Sequence, residues 1–240
     1  MTDDSTPDVR FWFDPVCPFA WMTSTWVRTV QEQRGYDVEW RFISLRLLNA
    51  HIDYDSHFPP EYEVGHTAGL RMLRMLAHVR DDHGPDAVAR MYPALSKRIF
   101  DVAPQEFDAA DLESLVRAAL AEEGLPESLV DHLDDTSRDA QIQAETDEAL
   151  ALTGKDVGTP ILHISPPEGA AFFGPVISRQ PSDEEAGALW DHVVGLATFP
   201  GFAELKRSLR EKPQLRSFGV DPGDVGQQED WHAGSRRLKK

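Results

Sequence analysis

The 240-residue chain contains one cysteine, Cys17. No internal disulfide can form, and no cysteine-rich zinc site can be built. Basic side chains are also few. Lys and Arg total 24 against 41 Asp and Glu, a formal net charge of −17. Such a surface repels phosphates and anionic lipids at long range, which argues against a nucleic-acid or membrane partner. Long apolar runs are missing, so no segment is suited to span a bilayer. Met1-Thr2-Asp3-Asp4 is acidic and no apolar stretch follows it, the reverse of a secretory leader. The expected location is therefore the cytoplasm. Neither a Gly-x-Gly-x-x-Gly turn nor a Walker loop occurs, so no nucleotide site is expected.

Hydrophobic residues make up 41% of the chain, enough for a globular core. The length suits one large domain or a domain with an insertion. Val9 to Phe13 is rich in aromatic and β-branched residues and reads as a strand. After Asp14-Pro15-Val16-Cys17-Pro18, apolar residues recur at helical spacing (Phe19, Met22, Trp26, Val27, Val30) until Gly35. Tyr36 to Leu45 alternates at first and predicts a second strand. The chain thus opens with a βαβ unit.

The middle has no convincing strand between Leu48 and Val157. Leu70, Leu73, Leu76 and Val79 share one helix face; Val88, Met91, Leu95 and Ile99 share another, with Pro93 as a potential kink. Leu112, Leu115, Val116, Ala119 and Leu120 predict a third helix ended by Gly124. Pro126 suits the start of a short helix through Leu133, and a polar helix is expected over Thr136 to Leu152. Strands return at Ile161–Ile164 and Ala170–Phe173, joined by a Pro166-Pro167-Glu168-Gly169 turn as a hairpin. Ser182-Asp183-Glu184-Glu185 has the capping-box pattern and opens a helix. A last helix is expected after Pro200. The domain reading is a polar N-terminus over 1–8, an α/β framework over 9–50 and 155–213, a helical insert over 51–154, and a flexible tail over 214–240.

A lone thiol is usually a small buried hydrophobe. Cys17, however, lies at a strand-to-helix joint with Pro18 at the helix start, where a proline's missing N–H costs nothing. Unpaired N–H groups and the helix dipole there favour thiolate, the nucleophilic form. Thr159-Pro160 precedes a strand, where proline is tolerated; a cis bond there could expose the Thr159 backbone to a bound thiol.

The order of strand, Cys-Pro-x-x, helix, strand, helical insert, Thr-Pro, hairpin and helix resembles a DsbA-like thioredoxin fold. Phe11-Trp12-Phe13-Asp14-Pro15-Val16-Cys17-Pro18 with Trp21 and Trp26 is similar to the actinobacterial mycothiol-dependent nitroreductase family. So are Asp156-Val157-Gly158-Thr159-Pro160, Phe172-Phe173-Gly174-Pro175, Glu184-Glu185-Ala186-Gly187, Leu189-Trp190-Asp191, and Phe202 with Glu204-Leu205-Lys206-Arg207. The similarity runs from about Val9 to Pro213.

One departure matters. Cys17-Pro18-Phe19-Ala20 stands where better-known relatives carry Cys-Pro-Trp-Cys, so Ala20 replaces the resolving cysteine. The resemblance then implies a monothiol oxidoreductase. Cys17 is its catalytic residue; Pro18, Phe19, Trp21, Thr159 and Pro160 bind thiol or substrate. Mycothiol is the implied co-substrate and a small molecule, nitroaromatics included, the implied substrate. A homodimer is compatible with this reading, and no metal is expected. The alternatives are a thiol-dependent isomerase or transferase of the hydroxychromene carboxylate isomerase or kappa glutathione transferase type, and a non-catalytic relative.

Other clusters read as structural. His51-Ile52-Asp53-Tyr54-Asp55-Ser56-His57 reads as a solvated acidic loop in preference to a metal site. His66, His78, His83 and His132 show no pattern with one another. Asp14 reads as a turn cap whose charge would raise a nearby cysteine's pKa. His163 reads as a strand histidine. The basic end Arg236-Arg237-Leu238-Lys239-Lys240 reads as a solvated tail.

Overall fold

The structure is a computed structural model that describes residues 6–57, 60–103, 111–154, 157–205, 209–220 and 228–230. Residues 1–5, Asp156, Lys206, Arg207 and the basic C-terminal run lie outside the described residues.

A four-stranded sheet in the order β2-β1-β3-β4 forms the framework. Strand β1 (Val9–Phe13) pairs in parallel with β2 (Val38–Phe42), joined by helix α1 (Pro18–Arg34). This is the βαβ unit expected from the sequence. Strand β3 (Ile161–Ile164) runs antiparallel to β1, and β4 (Ala171–Phe173) completes the predicted hairpin. Gly169 is required in its turn: an added Cβ would lie 1.8 Å from the Ile164 carbonyl oxygen.

The two faces of β1 bury different cores. Phe11 and Phe13 join α1 and the helical subdomain in the main core, whereas Trp12 packs with Ile43, Ala149 and Ile161 on the other face. This alternation is the period-2 signature of a strand covered on both sides. Helix α1 packs beside α8 (Asp183–Thr198), with Trp26 edge-on to Trp190 at 5.6 Å. The capping box on α8 forms as expected between Ser182 and Glu185.

Between β2 and β3 lie α2 (Leu45–Leu48), α3 (Tyr54–His57), α4 (Pro60–His83), α5 (Pro85–Phe100), α6 (Leu112–Glu122) and α7 (Asp139–Thr153). Among the described residues no strand occurs there. Helix α5 runs unbroken through Pro93. Proline removes the N–H that would bond the Ala89 carbonyl. The Arg28 guanidinium donates to that carbonyl instead, at 2.7 Å, and lies over the Trp40 ring.

The short helix expected after Pro126 is present as a 3-10 helix, Glu127–Asp134, with Leu129, Val130 and Leu133 buried against its neighbours. Two expectations need correction. Among the described residues between Pro200 and Lys212 no helix occurs: Phe199 turns extended, and Phe199 and Leu205 are exposed, so a helix there would have no apolar face to bury. The reading of 214–240 as a loose tail fails at its start. Leu215 is buried in the core and the Gln214 N–H donates to the Ser178 carbonyl at 2.7 Å. A two-stranded ribbon, β5 (Leu209–Glu211) with β6 (Gln228–Asp230), flanks it. Among the described residues no helix is long and apolar enough to cross a membrane.

Candidate active site

Cys17 is the N-cap residue of α1. Its backbone is extended, at φ −86° and ψ 113°, and its carbonyl accepts the first helical bond from Trp21. Pro18 occupies the first helical position. The sulfur then takes the role a serine or aspartate oxygen usually has: Sγ accepts from the Ala20 N–H at 3.4 Å. On its other side Sγ donates to the Thr159 carbonyl, also at 3.4 Å. The Thr159-Pro160 peptide is cis, and the Thr159 hydroxyl is anchored to the Trp12 carbonyl at 3.3 Å. Residues 142 positions apart thus meet across the sulfur because β1 and β3 are sheet neighbours.

Further bonds hold the helix start in place. The Thr23 hydroxyl donates to the Pro175 carbonyl at 2.7 Å, and the Gln180 amide donates to the Met22 carbonyl at 2.7 Å. From the helical subdomain, the Ser96 hydroxyl reaches the Pro15 carbonyl at 3.5 Å. Tyr92 stacks on Phe13 at 3.8 Å and meets the Trp21 ring edge-on. Its hydroxyl is buried beside Ser24, and burial raises its pKa. Tyr92 was not singled out from the sequence, although it sits four residues after Val88 on the predicted apolar face.

The electrostatics differ from the sequence expectation. The helix N–H groups do lower the Cys17 pKa, through Ala20 and Phe19. Burial dominates, however, and with the Asp14 charge it pushes the thiol up to about 12. Cys17 keeps only 6% of its surface. In this conformation the neutral thiol is the resting form. The reason is a competition that helix position alone cannot settle: desolvation penalises the anion more than two N–H groups stabilise it.

Asp14 is fully buried. Its two carboxylate oxygens accept from the Val16 N–H at 3.1 Å and the Leu45 N–H at 2.8 Å, so it does cap the turn, as expected. Burial nonetheless raises its pKa to about 7. Gly69 of α4 allows this arrangement, since a Cβ there would stand 2.5 Å from Asp14 Oδ1 and 2.8 Å from Val16 Cγ2.

Of the residues expected to bind thiol or substrate, Thr159 meets the sulfur through its carbonyl and Phe19 through its backbone N–H, with Pro160 and Pro18 as their chain neighbours. Phe19 is partly buried against the core. Trp21 is buried at 5% exposure, with Tyr92 on one side and the Asp101 carboxyl as a hydrogen-bond partner. Ala20 is fully buried, its N–H turned to the sulfur. His163 is a buried strand residue whose Nε2 lies 3.3 Å from the Gly169 carbonyl oxygen, and burial lowers its pKa.

Residues 16–207 match the family described as Rv2466c-like, mycothiol-dependent nitroreductase Rv2466c. The chain belongs to the Rv2466c-like family. A protein of Mycobacterium tuberculosis, named uncharacterized protein Rv2286c, is 31% identical over 200 residues, which cover 83% of this chain and 81% of that one. Among solved structures, a probable DsbA oxidoreductase, SCO1869 from Streptomyces coelicolor, aligns with a TM-score of 0.52 at 15% identity, over 88% of this chain and 98% of that one. A 2-hydroxychromene-2-carboxylate isomerase aligns with a TM-score of 0.50 at 14% identity, over 77% and 93%. These two likenesses establish the DsbA-like thioredoxin fold. Membership of this family places the chain with enzymes of the thiol-dependent oxidoreductase type, and Ala20 stands three residues after its single cysteine.

Proposed function

We propose that the protein is a monothiol oxidoreductase in which Cys17 exchanges disulfides with a low-molecular-weight thiol, mycothiol by family, in the cytoplasm. The observation that carries this reading is the Cys17 sulfur held between the Ala20 N–H and the Thr159 carbonyl. That carbonyl lies on a chain segment running alongside the sulfur, where an extended thiol substrate could pair with it.

The cycle balances without a second cysteine. The Cys17 thiolate attacks a substrate disulfide, forming a mixed disulfide and releasing one substrate thiolate. A small thiol then attacks the mixed disulfide, freeing the Cys17 thiolate and leaving as the new disulfide. For a nitroaromatic substrate, two small thiols would become one disulfide as the nitro group takes up two electrons and two protons and loses water as a nitroso compound. Cys17 is buried, so access to the sulfur requires the chain around it to part. That opening hydrates the site and removes the largest cause of the raised thiol pKa.

Mass spectrometry after treatment with mycothiol disulfide tests the reading. One mycothiol adduct on Cys17, released by a second equivalent of mycothiol, is the expected result. Failure of Cys17 to accept an adduct in the folded protein sinks it.

A second reading draws on the neutral resting thiol. A protonated Cys17 could donate a hydrogen bond to a bound thiolate cofactor in an isomerase or transferase reaction, and no adduct would then form. Turnover without net thiol consumption, abolished by Cys17→Ala, separates this from the first reading.

A further inference from the structure

Helix α4, the 3-10 helix Glu127–Asp134 and the short 3-10 helix Thr136–Arg138 meet at a cluster that shares no residue with the Cys17 site. His78 of α4 and His132 of the first 3-10 helix stack their rings with centroids 3.8 Å apart and planes 14° apart. Asp135, at the junction of the two 3-10 helices, aims one carboxylate oxygen at both. Its Oδ2 lies 2.9 Å from His78 Nε2 and 3.5 Å from His132 Nδ1. All three ligand atoms fall within 4.8 Å of one another.

The contact with His78 is not an ordinary hydrogen bond. His78 Nε2 is buried and has no hydrogen-bond partner of acceptable alignment, although the carboxylate oxygen is within reach. A buried polar atom left without a partner calls for an explanation. In its neutral form an imidazole can offer this nitrogen's lone pair to a metal ion, and the carboxylate oxygen 2.9 Å away could be a second ligand to the same ion.

The surroundings are consistent with a shared cation. The guanidinium groups of Arg71, Arg74 and Arg138 are each engaged by another carboxylate, and the Arg74 charge also reaches Asp135. Arg71 makes a two-pronged pair with Asp134, Arg74 makes another with Asp139, and Arg138 pairs with Asp81. The remaining oxygen of Asp135, Oδ1, accepts from the Ser137 N–H at 2.9 Å. That bond fixes the carboxylate's orientation, as the outer partners of metal-binding carboxylates do.

We propose that His78 Nε2, His132 Nδ1 and Asp135 Oδ2 form a site for a divalent transition-metal ion of the zinc class, with water completing the coordination. Zinc–nitrogen and zinc–oxygen bonds of about 2.0–2.1 Å place neighbouring ligand atoms about 3.4 Å apart in a tetrahedron. The two carboxylate–imidazole separations, 2.9 and 3.5 Å, lie on either side of that spacing. Each ring donates a lone pair in its own plane, so the imidazoles turn out of their stack as the ion binds. Two histidines and one carboxylate with a water leave one exchangeable position. The site ties α4 to the two 3-10 helices that follow α6, and its effect is to stiffen that side of the helical subdomain. Nothing in this proposal depends on the Cys17 reading.

The test titrates the full chain carrying Cys17→Ser, which removes the competing thiol, with zinc chloride and, for colour, cobalt chloride. One ion per chain and a rise in melting temperature with zinc concentration are expected. His132→Gln and Asp135→Asn should each weaken zinc binding by about tenfold or more, while His192→Ala, on the exposed face of α8, should leave it unchanged. Substitution of His78 could disturb packing, so the imidazole nitrogen resonances of the unsubstituted rings supply an independent reading. Zinc should shift His78 Nε2 and His132 Nδ1 together. Shifts confined to other histidines, binding that survives both substitutions, or no binding would overturn the proposal.

Discussion

The Asp14 carboxylate lies buried three residues before Cys17 in the same turn, and its charge opposes formation of the Cys17 thiolate. One turn thus contains both the group that would act and a group that restrains it. The Cys17 N–H donates to the Asp14 carbonyl at 3.0 Å, so the two residues also share a backbone contact.

Replacing Asp14 by asparagine removes the negative charge and should lower the Cys17 pKa from about 12. Burial is the larger cause and remains, so the thiol should stay above its ordinary value of 9.0. Thiolate absorbance in the ultraviolet, followed against pH for both proteins, measures this. An unchanged or higher Cys17 pKa in the variant would show that Asp14 does not act on the sulfur.

The same carboxyl makes stability depend on pH in a stated direction. Its pKa rises from an ordinary 3.8 to about 7 on folding, so the folded chain binds the proton more tightly than the unfolded chain. Between those values folding takes up a proton, and the Asp14 contribution falls as pH rises, levelling above about 7. Denaturant melts of the wild type and Asp14→Asn across this range should show their difference in stability changing in that sense. A difference that grows in favour of the wild type as pH rises would contradict the assignment.

Gly69→Ala places a methyl group against Asp14 Oδ1 and Val16 Cγ2, neither of which can retreat freely, because Asp14 is held by two N–H groups. The expected loss is about 1–3 kcal/mol, the usual cost of overpacking. Cys17 should also alkylate faster, because the turn beneath it is displaced. Denaturation and iodoacetamide kinetics on the same sample check both; a variant as stable as the wild type would mean α4 can shift without strain.

Ala20→Cys should restore dithiol behaviour. Ala20 lies one helical turn beyond Cys17, with its N–H already directed at the sulfur. Oxidation of this variant should remove two hydrogens in the intact mass and block alkylation of both thiols. A chain that remains doubly alkylatable after oxidation would show that the helix start does not hold the two positions at bridging distance.

Much of the framework was legible because it depends on local pattern. The aromatic run of Val9–Phe13, the proline after Cys17, Gly35 at a positive φ of 69°, and the Ser182–Glu185 box are signals carried by neighbouring residues. The 3-10 form of Glu127–Asp134, the lack of a helix among the described residues between Pro200 and Lys212, and the docking of Leu215 were not legible. Each is settled by whether a distant surface is available to cover an apolar side chain. Pro93 makes the same point: whether it breaks α5 depends on Arg28, which stands more than sixty residues earlier and bonds the carbonyl that proline leaves open.

Within the site, the family resemblance supplied the reading of Ala20 as the missing resolving cysteine, and sequence alone determined that Cys17 is the only thiol and that it begins a helix. Those facts follow from residue identity and order. Only the tertiary structure decided that the sulfur meets Thr159, that Asp14 is sealed beneath Gly69, that the thiol rests neutral, and that His78, His132 and Asp135 converge. Desolvation and charge coupling are set by which atoms surround a group in space, and here those atoms come from segments far apart along the chain.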